Sequence, residues 1–194
     1  MIELLKRVKN CTVCEEFLPL GANSVLTAGS KSKIIVIGQA PGRIVHETGI
    51  PWNDKSGDNL RFWMGVDRGV FYNSDKIALM PMGFCYPGRG NSGDLPPRPE
   101  CARLWHAKLL SLMPDARLVL LIGQYAQNYY LSEKMKPTLT ETVRQFKEYL
   151  PFYFPLPHPS PRNNIWQTKN KWFAHEVLPE LKFRVHLILG EINN

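Results

Sequence analysis

The chain has 194 residues, 44% of them hydrophobic and 21% charged. That length suits one domain over residues 1–194 rather than two, and the balance excludes wholesale disorder and coiled coil. Lys and Arg number 24 against 17 Asp and Glu, a formal net charge of +7 that favours a polyanionic partner.

The opening MIELLKRVKNC is amphipathic and lacks the apolar stretch of a signal peptide. No apolar run of about eighteen residues follows, so no membrane span is expected, and the chain reads as a cytoplasmic monomer. Residues 33–38 (KIIVIG) form the first predicted strand, closed by a tight turn at 39–42. A helix is predicted over 56–65, with Ser56 as its cap. The second strand occupies 77–82 and should end early, because Pro81 cannot donate to a ladder. Residues 99–112 carry Leu104, Trp105, Leu109 and Leu112 on one helical face. A third strand lies at 117–123, helices at 124–131 and 139–150, and a fourth strand at 152–156. The last predicted helix, 171–181, has Trp172, Phe173, Val177 and Leu181 near helical spacing. Short apolar strands alternating with amphipathic helices predict a parallel sheet sandwiched by helices. The loops after the strand ends then converge on one edge, where such folds bind ligands. Two unusual loops, 39–57 and 157–166, are placed there.

Cys11 and Cys14 form a CxxC pair, followed far along the chain by Cys85 and Cys101. Disulfides are rare in the cytoplasm, so four cysteines with none to spare point to a metal site. Zn and a 4Fe–4S cluster both accept four thiolates, and spacing does not choose between them. The plainer alternative for Cys85 and Cys101 is burial as small hydrophobes.

The turn Gly38-Gln39-Ala40-Pro41-Gly42 directly follows a strand, and its glycines permit close backbone approach to a ligand. It lacks the Gly-Lys-Ser/Thr ending of a phosphate-binding loop. Further on, Trp52 beside Asp54 near a helix start offers a ring to stack and a carboxylate to activate water. The alternative is a core Trp and a capping Asp. In Pro157-His158-Pro159-Ser160-Pro161-Arg162-Asn163, a histidine sits on a stiff backbone beside phosphate-type donors. Its imidazole can donate a hydrogen bond to a developing anion.

Taken together, these segments resemble the uracil-DNA glycosylase superfamily. Gly38-Gln39-Ala40-Pro41-Gly42 resembles its first motif and His158-Pro159-Ser160-Pro161 its second. Thr48-Gly49-Ile50-Pro51-Trp52 and Ser56-Gly57 match the loop between the water-binding motif and the next helix, and Gly123-Gln124-Tyr125-Ala126 a strand-to-helix turn. The layout of Cys11, Cys14, Cys85 and Cys101 is similar to the iron–sulfur branch. The resemblance implies a three-layer α/β/α sandwich with a central four-stranded parallel sheet and a 4Fe–4S cluster, with structural Zn as the alternative. It also implies hydrolysis of the N-glycosidic bond of a damaged base, uracil or a related deaminated base, flipped out of DNA. By resemblance His158 is the catalytic donor and Trp52 stacks on the base. Gln39, Ala40 and Gly42 line the pocket, and Ser160, Arg162 and Asn163 meet the DNA.

The chain departs from the family at three positions. Gln39 stands where the iron–sulfur branch has Glu, and Ala40 where the uracil enzymes have Asp. Gln39 can orient water but cannot act as a base. Asp54-Lys55-Ser56-Gly57-Asp58 is similar to a segment that carries the catalytic Asp in a related branch, so Asp54 is expected to supply the missing carboxylate. Pro81 occupies the place of a base-reading Asn and has no side-chain donor or acceptor, a departure from strict uracil reading. A non-catalytic DNA- or nucleotide-binding iron–sulfur protein on the same scaffold is the alternative function.

Overall fold

A computed structural model describes residues 1–91 and 93–192. Four strands, β1 (Ile34–Ile37), β2 (Ile77–Leu79), β3 (Leu118–Ile122) and β4 (Tyr153–Leu156), pair in the order β2-β1-β3-β4. All pairings are parallel, with Ile34 opposite Ile77 and Leu118, and Leu120 opposite Phe154. Strands β1, β2 and β3 are buried along their whole length, as continuous β-branched and leucine runs require when both sheet faces are covered. β2 does end before Pro81, and an antiparallel bridge from Thr27 to Leu79 closes its outer edge.

Alternate strand residues feed two separate cores. Ile34, Val36, Leu118, Leu120 and Phe154 face one side, where they pack with Leu60, Trp63, Phe173, Leu181 and Val185. Those partners come from α3 (Lys55–Met64) and from the C-terminal helices. Ile35, Ile37, Val119 and Leu121 face the other side and pack with Val8, Trp105, Leu109, Ala126 and Leu131. These come from α1 (Ile2–Lys9), the 99–110 segment and α7 (Gln124–Leu131). The architecture is therefore a three-layer α/β/α sandwich around a four-stranded parallel sheet. Among the described residues, no helix is long and apolar enough to cross a membrane.

Several helices differ in detail from the predicted ones. The 99–112 segment is α5 (Pro99–Cys101), a π-helical turn (Ala102–His106) and α6 (Ala107–Leu110). The wider turn rotates the faces, so Leu104 and Leu112 are 37% and 36% exposed while Ala102, Trp105, His106 and Leu109 are buried. The 139–150 helix is broken into α8 (Leu139–Arg144), opened by a Thr138–Glu141 capping box, and a 3-10 turn (Phe146–Tyr149). The C-terminal helix runs further than predicted, through a π-turn (Phe173–Val177) into α10 (Leu178–Leu189). Of three short helices, α2 (Arg43–Thr48) lies within the first predicted loop, α9 (Asn164–Lys169) begins within the second, and α4 (Arg68–Phe71) lies in a stretch for which no element is predicted.

Candidate functional site

With all strands parallel, the segments that follow β1, β2 and β4 leave the sheet at the same edge. They enclose a cleft of about 960 Å³. Gln39, Ala40, Gly42, Trp52, Asp54, His158, Ser160, Arg162 and Asn163 all line it.

The floor depends on two glycines. Trp52 lies with its ring against Gly38, where an added Cβ would stand 2.7 Å from the indole. Trp52 itself holds a left-handed backbone, φ 55°, which a bulky residue adopts only when its surroundings impose it. Its carbonyl accepts hydrogen bonds from Arg61 Nη1 at 3.4 Å and from the Tyr72 hydroxyl at 3.3 Å. Arg61 is buried, ion-paired to Asp58, and lies over the rings of Phe71 and Tyr72. Gly57 leaves room for this carbonyl, since a Cβ there would come within 1.8 Å of the Trp52 oxygen. The cap of α3 is Asp54 rather than Ser56: its Oδ1 accepts from the Gly57 N–H at 2.9 Å. That bond leaves a second carboxylate oxygen, and the side chain remains on the cleft wall.

On the opposite wall, the stretch after β4 is tied down at His158 and at the residue that follows it. The Asn163 side-chain amide donates to the His158 carbonyl at 2.7 Å, and that of Asn59 donates to the Pro159 carbonyl at 2.8 Å. Ser160 N–H donates to His158 Nδ1 at 3.2 Å, so the neutral ring carries its proton on Nε2. Burial lowers the His158 pKa, with the charge of Asp54 opposing that shift, so the ring is a neutral donor at neutral pH. The rings of His158 and Trp52 lie 5.8 Å apart at 31°. Gln39 is engaged at its amide, which donates to the Leu95 carbonyl at 3.1 Å.

Sequence reading missed the third wall. Tyr86, Arg89 and Asp94, from the segment after β2, also line the cleft. Arg89 and Asp94 bridge antiparallel, and Gly90 N–H donates to the Gly93 carbonyl at 2.7 Å. The available signal was a glycine-punctuated Arg/Asp segment after a parallel strand, which topology sends to the same edge. A hollow of about 280 Å³, lined by Gln124, Tyr125 and Trp166, adjoins the cleft and shares Gln39, His158 and Asn163 with it.

Residues 26–182 match the Uracil DNA glycosylase superfamily. The chain belongs to the uracil DNA glycosylase superfamily. A solution NMR structure from Methanosarcina acetivorans, provisionally described as a uracil DNA glycosylase, aligns over 82% of this chain and 98% of its own, with 16% identity and a TM-score of 0.43.

Within the superfamily, placement in the iron–sulfur branch does not hold, and neither does the metal-site expectation behind it. Among the described residues, no group of three or more His, Cys, Asp or Glu side chains is arranged to hold a metal ion. Cys11, Cys14, Cys85 and Cys101 are free thiols around one small apolar hollow with Phe84 and Trp105. They are divided between two packing clusters: Cys14 and Cys85 sit with Leu18, whereas Cys101 packs into the core under the sheet. The Cys101 sulfur accepts from the Phe84 N–H at 3.5 Å, and burial pushes its pKa up to about 12. Cys14, Cys85 and Cys101 are buried as small hydrophobes and Cys11 is half-buried; with no metal-holding group among the described residues, the expectations of a 4Fe–4S cluster and of a structural Zn are both overturned.

Proposed function

We propose that the cleft hydrolyses the N-glycosidic bond of a damaged base, uracil or a related deaminated base, in a nucleotide flipped out of DNA. Superfamily membership supports the general chemistry. The observation that carries the reading is His158, a neutral imidazole whose Nδ1 is occupied by the Ser160 N–H, so that Nε2–H is the donor offered to the cleft. As the glycosidic bond breaks, its electron pair moves into the base, and the developing charge on a base oxygen needs such a donor. Trp52, held against Gly38, supplies a face on which the base stacks. Asp54 orients water and, by its charge, steadies the cationic sugar, the second of which a neutral amide such as Gln39 cannot do. Backbone around Ala40 and Gly42 lines the base, while Ser160, Arg162 and Asn163 meet the phosphates on either side. Tyr125 and Trp166 offer aromatic surface to a neighbouring nucleotide in the adjoining hollow.

The test is a screen of the purified protein on duplexes carrying uracil, hypoxanthine or xanthine, read as alkali-sensitive breaks. Release of at least one base is expected. Tight binding to a stable abasic duplex without release of any base would instead support a DNA binder that does not cut. The observation behind that second reading is Pro81, which lines the cleft and presents no polar side chain to a base edge.

A further inference from the structure

The wall contributed by the segment after β2 carries a charge that the chemistry above leaves unused. Asp94 lines the cleft together with Gln39, Asp54 and His158. Its Oδ2 lies 3.5 Å from where a Cβ on Gly42 would be, so the carboxylate stands directly over the turn that follows β1. The backbone around it is fixed. Arg89 and Asp94 bridge antiparallel, Leu95 N–H donates to the Gly88 carbonyl at 2.9 Å, and the Leu95 carbonyl receives the Gln39 amide. The Gln39 amide thus ties down the segment that brings this carboxylate to the turn. Asp54 meanwhile has one oxygen committed to the cap of α3.

We propose that Asp94 is the second carboxylate of this site, the one that receives the proton of the attacking water while Asp54 orients that water. This rests on the N-glycosidic reading above. The water oxygen bonds to the sugar C1′, and the C1′–N bond breaks with its electron pair passing to the base. The water proton goes to Asp94, and the departing base anion is held by His158 Nε2–H until it takes a proton from solvent. Partial burial raises the Asp94 pKa, and the charge of Asp54 adds to that, while Arg162, Arg89 and Tyr86 pull it back. A carboxylate so balanced is a better proton acceptor than an ordinary surface Asp.

The test compares wild type, Asp94→Asn and Asp94→Glu on two duplexes, one with a neutral tetrahydrofuran abasic site and one with a cationic pyrrolidine in its place. Wild type should prefer the cationic duplex by roughly tenfold or more, the scale of a single well-placed charge. Asp94→Asn should lose a measurable part of that preference, the rest being supplied by Asp54, retain affinity for the neutral duplex within about twofold, and slow single-turnover base release by at least roughly tenfold. Asp94→Glu should restore the preference. Affinity for the neutral duplex serves as the folding control for each variant. An undiminished cationic preference in Asp94→Asn overturns the assignment, whether or not wild type turns over. Failure of wild type to release any base overturns the glycosylase reading instead, and the two-duplex comparison still decides whether Asp94 faces the sugar.

Discussion

At the scale of single residues, His158 and Asp54 make separable demands. His158→Ala removes one preorganised donor, and such a loss lowers rates by about a hundred- to a thousand-fold. Binding to an abasic duplex should persist, because the backbone around it is held by Asn163 and Asn59 rather than by the ring. Asp54 combines a charge with a cap. Asp54→Asn keeps an oxygen for the Gly57 N–H, so urea unfolding should be nearly unchanged while single-turnover release slows by roughly tenfold or more. Asp54→Ala should lose the same rate and also about 1 kcal/mol of stability. Equal rates in wild type and Asp54→Asn would return the orientation of water to Gln39 and the backbone. Both sequence readings of Asp54, capping residue and cleft carboxylate, describe the same side chain. Composition and spacing cannot separate them, because a cap uses only one carboxylate oxygen.

The elements show where local pattern stops being informative. The strands were legible because each is a short, continuous apolar run buried on both faces. The loops after β1 and β4 were legible because glycines and prolines mark them. The face of the 99–110 helix was legible only in part: Trp105 and Leu109 are buried as expected, but a π-turn adds a residue to the repeat and no side chain there announces it. The Asp94 wall was missed for a related reason. Its place in the cleft is set by sheet order, with β2 beside β1, rather than by any motif of its own. The start of α3 gives a test of element-level packing. Gly57→Ala would place a methyl within 1.8 Å of the Trp52 carbonyl, which is held by Arg61 and Tyr72 and has nowhere to retreat. The expected result is a loss of more than about 1 kcal/mol in urea unfolding and a marked fall in affinity for an abasic duplex, since Trp52 must shift. Wild-type behaviour in both measurements would mean that the loop yields without moving the ring.

For the whole molecule, the buried imidazole of His106 sets an acid limit. Its Nδ1 pairs with the Tyr130 hydroxyl at 2.6 Å and its Nε2 with the Pro81 carbonyl at 3.0 Å, beneath the cleft. Burial lowers its pKa from 6.5 to about 4. Between those values the unfolded chain binds a proton that the folded chain refuses, so stability falls as the pH drops through this window and is flat above it. The ceiling on this loss is roughly 3 kcal/mol. His158, also lowered by burial, adds to the loss in the same direction. Unfolding midpoints measured from pH 7 down to pH 4 should decline, and His106→Gln should flatten part of that slope while lowering stability at pH 7. An unchanged slope in His106→Gln would mean that His106 already titrates normally in the fold.

The hydrogen bond from Asn59 to the Pro159 carbonyl joins residues 100 positions apart. Contacts of that span close late, because the entropy of looping so much chain must be overcome before they form. During synthesis the sheet strands β1 and β2 can meet long before His158 has left the ribosome. A nascent chain therefore holds one wall of the cleft with nothing facing it, and the cleft is not complete until the last quarter of the chain has been made. The same geometry makes residues 157–163 the place where a single protease cut would undo the cleft without severing any strand of the sheet.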